Sequence, residues 1–170
     1  MKMFTRAGRA ALFDRKVYTE AFFDNDAMAD GAIVVASVGA LTYLGFLARG
    51  AQFDLTGLIA VVLYSVVSWL ILGFATWFAA NRLFQGSGRP QTLLAMHGLA
   101  PLPLLLEILG TPIAWLGVLW YLGILVLATK EGTDLEYKFA GVAVLIGFAA
   151  AFLVRALLRV PYGLFSGAFV

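Results

Sequence analysis

The chain has no cysteine, a single histidine, and few charges: Lys, Arg, Asp and Glu together make up 13% of its 170 residues. Without cysteine there is no disulfide framework, no thiolate nucleophile and no thiolate metal site. One imidazole cannot build a metal centre, and no acidic residues stand near His97 to complete one, so neither a metal nor another cofactor is expected. Ser65 and Ser68 with that lone histidine supply no nucleophile, base and orienting group, so an enzyme is not expected. The net charge is +2 despite a pI near 9.0, too small a surplus for a nucleic-acid surface. Gly86-Ser87-Gly88-Arg89-Pro90 reads as the one flexible linker; it lacks the third glycine and the strand-to-helix context of a phosphate-binding loop.

What is abundant is hydrophobic sequence, 62% of the chain, with 14 Phe and four Trp. Five apolar stretches, residues 31–48, 57–80, 92–110, 112–128 and 139–158, are each 17 to 24 residues long and carry at most one full charge. A bilayer core of roughly 30 Å needs about 20 such residues per helix. The expected fold is therefore an all-α integral membrane protein: a five-helix bundle over residues 31–158, preceded by an N-terminal interfacial helix and followed by a short tail, 159–170. Short connections make it an up-down bundle. Gly132-Thr133-Asp134 reads as a plain turn whose Thr133 or Asp134 caps the last helix.

Basic residues concentrate on the cytoplasmic side of short loops. Lys2, Arg6, Arg9, Arg15, Lys16, Arg82, Arg89, Lys130 and Lys138 fall on one side, and Arg49, Arg155 and Arg159 on the other, nine against three. The N-terminus is expected to be cytoplasmic and the C-terminus on the outer side. The apolar run from Ala10 ends at Asp14, too soon for a cleavable signal, so the arm should persist. At helical spacing Phe4, Ala7, Ala11, Tyr18 and Phe22 share one face, and Lys2, Arg6, Arg9 and Lys16 form a stripe expected to contact anionic lipid. Asp24, Asp26 and Asp30 lead into the first span, with Asp30 near the helix start, where a carboxylate favours the positive end of the dipole.

The third span is the least regular, because Gly98, Pro101 and Pro103 interrupt it. Each proline removes an amide donor and crowds the carbonyl four residues back, so His97 and Leu99 lose intrahelical partners and a kink or break is expected. His97 should bond a neighbouring helix. Glu107 lies near the outer end of this span and Arg155 near that of the fifth; intramembrane charges tend to pair, so an ion pair between them is expected. Ala143, Gly147 and Ala151 recur every four residues in the fifth span, a face for close packing against another span or another protein. Trp69, Trp77, Trp115 and Trp120 read as bundle or interface aromatics.

Asp14-Arg15-Lys16-Val17-Tyr18 followed by Asp24, Asn81-Arg82-Leu83-Phe84, Gly98-x-x-Pro101, Leu109-Gly110-x-Pro112 and Ala128-Thr129-Lys130-Glu131-Gly132 follow one another in an order that resembles the bacterial branch of the Yip (Ypt/Rab-interacting protein) family. The resemblance spans residues 14–158. It departs from the family at Pro103 and at His97, where an aromatic or aliphatic residue would be expected. It implies five spans with a cytoplasmic N-terminus, a bacterial inner membrane with a periplasmic outer side, and no catalytic residues to carry over. Eukaryotic relatives engage small GTPases and help shape or traffic membranes.

Two functions fit these features. The first is a non-catalytic accessory, scaffold or assembly subunit packed against a larger integral membrane protein complex and lipid. The second is a small transporter or channel that uses the Pro-broken third span.

Overall fold

The computed structural model describes residues 2–50 and 52–158, except for the side chains of Thr111, Arg155 and Leu158. Its elements are α1 Lys2–Ala11, α2 Lys16–Phe23, α3 Ala27–Ala48, α4 Leu55–Phe84, α5 Pro90–Gly98 leading into a 3-10 helix Leu102–Leu109, α6 Thr111–Thr133 and α7 Tyr137–Leu158. Five of these units are long and apolar enough to cross a membrane, with α5 and the 3-10 helix together forming the third. No strand occurs among the described residues.

Polar residues set the ends of the helices and carry them beyond the apolar stretches. The Asp54 carboxylate accepts from the Thr56 and Gly57 amides at 3.0 and 2.9 Å, taking up donors that the first turn of α4 leaves unpaired. Tyr43 ties this cap to α3, its hydroxyl donating to the Asp54 carbonyl and accepting from the Asp54 amide. Gln85 ends α4 and Asp134 ends α6, both in the left-handed conformation. Thr133 thus belongs to the last turn of α6, where its hydroxyl donates to the Thr129 carbonyl; it does not cap the following helix. Gly110, at φ 113, turns the chain from the 3-10 helix into α6, a geometry in which a side chain would be strained.

Close approaches fix the register. Gly39 meets Ser65 and Gly57 meets Tyr43, so α3 and α4 are antiparallel; Gly117 meets Pro103 and Gly132 meets Met96, so α6 runs back along the third span. Trp69 donates to the Leu94 carbonyl at 3.0 Å, joining α4 to α5. The third span is the centre of the bundle. Of an 18-residue stretch of it 67% is buried, against 28–50% for stretches of the same length in the other four, and α3, α4 and α6 all pack on it.

The small-residue face of α7 is used inside the chain. Ala143, Gly147 and Ala151 are buried, α4 and α7 form the most extensive helix pair, and a Cβ on Gly147 would strike the Thr76 hydroxyl and the Leu72 carbonyl. Small residues let the two backbones approach closely, the kind of contact that joins apolar helices. That leaves this face closed to other proteins.

The linker Gly86 to Pro90 is pinned rather than loose. The Gly86 amide donates to the Ala80 carbonyl, the Ser87 amide to the Thr133 carbonyl, and Trp77 Nε1 to the Gly88 carbonyl, at 2.9, 3.0 and 2.8 Å. A Cβ on Gly88 would collide with the Gly132 carbonyl, so glycine there serves the contact between loop and helix.

The N-terminal arm departs most from expectation. It is a hairpin of two short helices, and Phe13 adopts φ 59 at the turn. Ala7, Ala10, Val17, Tyr18 and Ala21 are buried in the main core, while Phe4 and Phe22 are about half exposed. α1 packs on α3, the 3-10 helix and α6, and α2 packs on α5 and α6, so the hairpin covers the central span on the side left open by α4.

Candidate functional site: the broken central span and its hairpin cover

The break forms where the prolines require it. α5 ends at Gly98, and the 3-10 helix begins at Leu102. Two carbonyls are recaptured by tighter turns: the Ala100 amide donates to His97 at 3.1 Å and the Leu104 amide to Pro101 at 2.9 Å. This is how a break survives where water cannot satisfy the backbone.

Packing then seals it. Gly98 lies against Gly31 of α3 so closely that a Cβ on Gly98 would sit 2.5 Å from the Gly31 Cα. Leu99, Ala100 and Leu104 are at most 2% exposed. His97 is fully buried with Nε2 2.9 Å from Thr129 Oγ1 on α6, the helix-to-helix bond expected of it, and Nδ1 has no hydrogen-bond partner among the described residues. Gly98, Pro101 and Pro103 therefore act together as a packed break.

Glu107 is buried at the far end of the same segment. The side chain of Arg155, its expected partner, lies outside the described residues. A cation that does reach this segment is Arg49, at the end of α3, whose Nη2 donates to the Glu107 carbonyl oxygen. Its position directly after an apolar span was the sequence signal for an interhelical role, and the charge count used it only for topology.

On the hairpin, Arg6 Nη1 lies 2.6 Å from Asp24 and 3.3 Å from Asp30, and Arg9 reaches Asp14 at 2.8 Å and Glu20 at 3.0 Å. The bond to Arg6 holds the Asp24 carboxyl below its usual range, and the bond to Arg9 does the same for Asp14; the two guanidinium groups are correspondingly raised. Of the stripe expected to meet anionic lipid, Arg6 and Arg9 are thus engaged by carboxylates of their own chain, while Lys2 and Lys16 form no salt bridge among the described residues.

The hairpin is also tied to the bundle. Trp120 Nε1 donates to the Ala11 carbonyl at 2.8 Å, and Arg15 Nη2 donates to the Tyr137 hydroxyl at 2.8 Å. Beside it, at the loop end of the bundle, a cleft of about 380 Å³ lies between Phe22, Ser87, Arg89, Thr92, Glu131 and Asp134, lined by charges of both signs.

Among the described residues no group of three His, Cys, Asp or Glu side chains stands close enough to hold a metal ion. Ser65 donates to the Val61 carbonyl one turn back and is an internal helix bond. The polar contacts of the broken span join one helix to another. No family model matches the chain, nor does any curated protein or any solved structure.

Proposed function

We propose that this is a non-catalytic multi-pass membrane protein of the bacterial inner membrane, an accessory, scaffold or assembly subunit that packs against larger membrane proteins and lipid. In this reading it belongs to the bacterial branch of the Yip family, with its N-terminus cytoplasmic and its C-terminus periplasmic. The five apolar units and the charge asymmetry support the placement.

The observation that carries the functional reading is the sealed break. A transport site at a discontinuous helix needs backbone facing a cavity. Here Gly98 is pressed against Gly31, Ala100 is fully buried, and His97 is spent on Thr129. The alternative, a small transporter or channel, has the discontinuity itself in its favour, because a helix interrupted by two prolines is costly in lipid unless something compensates.

Extraction from the native membrane in mild detergent, followed by sizing and identification of co-migrating chains, tests the proposal. A stoichiometric larger membrane protein is the expected companion. A lone monomer or homo-oligomer would contradict it and direct attention to flux. With Gly147 and its neighbours occupied by α4, the partner should dock on an exposed face such as that of Phe74 and Phe78 on α4.

A further inference from the structure

We propose that the turn of the N-terminal hairpin, Leu12 and Phe13, is inserted among the acyl chains of the leaflet on the N-terminal side, so that the arm is a re-entrant hairpin held by apolar contact rather than a basic helix lying on anionic head groups. The proposal rests on the membrane reading above.

Three observations carry it. The first is depth. Trp120 holds the Ala11 carbonyl, and a Cβ on Gly123 would lie 3.4 Å from the Phe13 ring. Trp120 and Gly123 stand 13 and 10 residues before the end of α6 at Thr133, roughly 20 and 15 Å along the helix at 1.5 Å per residue. The polar end of α6 begins only at Lys130 and Glu131, so the turn sits well inside that boundary.

The second is the surface it presents. Leu12 is 76% and Phe13 45% exposed, and the turn is held against α6 at Trp120 and Gly123, a helix whose Leu116 and Leu119 are also exposed. An exposed apolar turn held against the middle of a lipid-facing helix meets the same solvent as that helix.

The third is charge. Residues 2–30 carry five cations (Lys2, Arg6, Arg9, Arg15 and Lys16) and five carboxylates (Asp14, Glu20, Asp24, Asp26 and Asp30), so the arm is neutral in its side chains. Arg9 and Asp14, the charges flanking the turn, are paired with each other, and Arg15 extends to Tyr137 near the loop end of the bundle. Long cations near a boundary point outward in this way. Attraction to anionic lipid needs unpaired basic residues near the surface, and of the basic stripe Arg6 and Arg9 are neutralised, which leaves Lys2 and Lys16.

The absence of cysteine makes the test direct. Leu12→Cys carries a spin label, with Leu145→Cys on α7 as the lipid-facing control and Gln91→Cys at the start of α5 as the water-facing control, in vesicles of neutral lipid and in vesicles with added anionic lipid. The label at position 12 should match that at 145, with high collision with oxygen and low collision with a water-soluble nickel chelate, and should not change when anionic lipid is omitted. A label that collides with the chelate as at position 91, or that becomes lipid-like only with anionic lipid, overturns the proposal. So does one shielded from both reagents, which would place a protein surface over the turn. If position 145 is itself open to the chelate, the membrane reading fails instead.

Discussion

Two glycines with opposite surroundings show what a single methyl group does in this bundle. Gly98 has no room for a Cβ, because backbone of α3 lies against it, whereas nothing lies within 4 Å of the Cβ position at Gly141 on α7. Gly98→Ala is expected to lower stability by about 1–3 kcal/mol through overpacking, while Gly141→Ala is expected to be neutral or to stabilise by about 0.4–1 kcal/mol through loss of backbone freedom in the unfolded chain. Thermal unfolding of both variants in one detergent measures the contrast. At His97 the buried bond to Thr129 invites a second comparison. Thr129→Val removes the hydroxyl and nearly preserves shape, and should cost about 1 kcal/mol, in the range found for polar contacts between membrane helices. If His97 is a packing residue, His97→Ala also keeps the native particle intact and changes no solute flux in vesicles; a loss of flux would favour the transport reading.

The ion pairs of the hairpin make its stability depend on pH. Asp14 and Asp24 have folded values below their ordinary value of 3.8 because guanidinium groups bond the charged form. A group with a depressed folded value stabilises the fold above its unfolded value, and that contribution is lost as pH falls through the folded one. The α1 amides are therefore expected to keep constant protection from neutral pH down to about 4 and to lose it below. Arg6→Gln should remove the part of this dependence due to Asp24. Hydrogen exchange corrected for intrinsic rates reads both effects. The hairpin also marks the limit of what the sequence disclosed. Phe4, Ala7, Ala11, Tyr18 and Phe22 suit one continuous amphipathic helix, and nothing local marks Phe13 as a turn in positive φ. The turn is explained by α1 packing over the central span and by arginines meeting acids 5 to 24 residues away in sequence. Periodicity reports a helix face, not what covers it.

Across the whole molecule the spans were readable because the apolar stretches are long and nearly free of charge. The helices then run two to five residues past several of those stretches, as at Phe84 and Thr133, where capping and loop contacts keep the ends ordered. The break in the third span was also legible, since proline chemistry alone demands it. Its central position was not, because composition does not say which of five similar apolar helices the others surround. That position decides between the two functions, and the residue that senses it best is Ala100, fully buried beside the break. In a chain without cysteine, Ala100→Cys places a single thiol beside the break. With the protein in sealed vesicles, a small membrane-impermeant thiol reagent is applied from each side in turn. The sealed bundle predicts that position 100 stays unmodified from both sides while Gln91→Cys is modified from one. Labelling of position 100 from either side would reveal water at the break and would contradict a packing role for the central span.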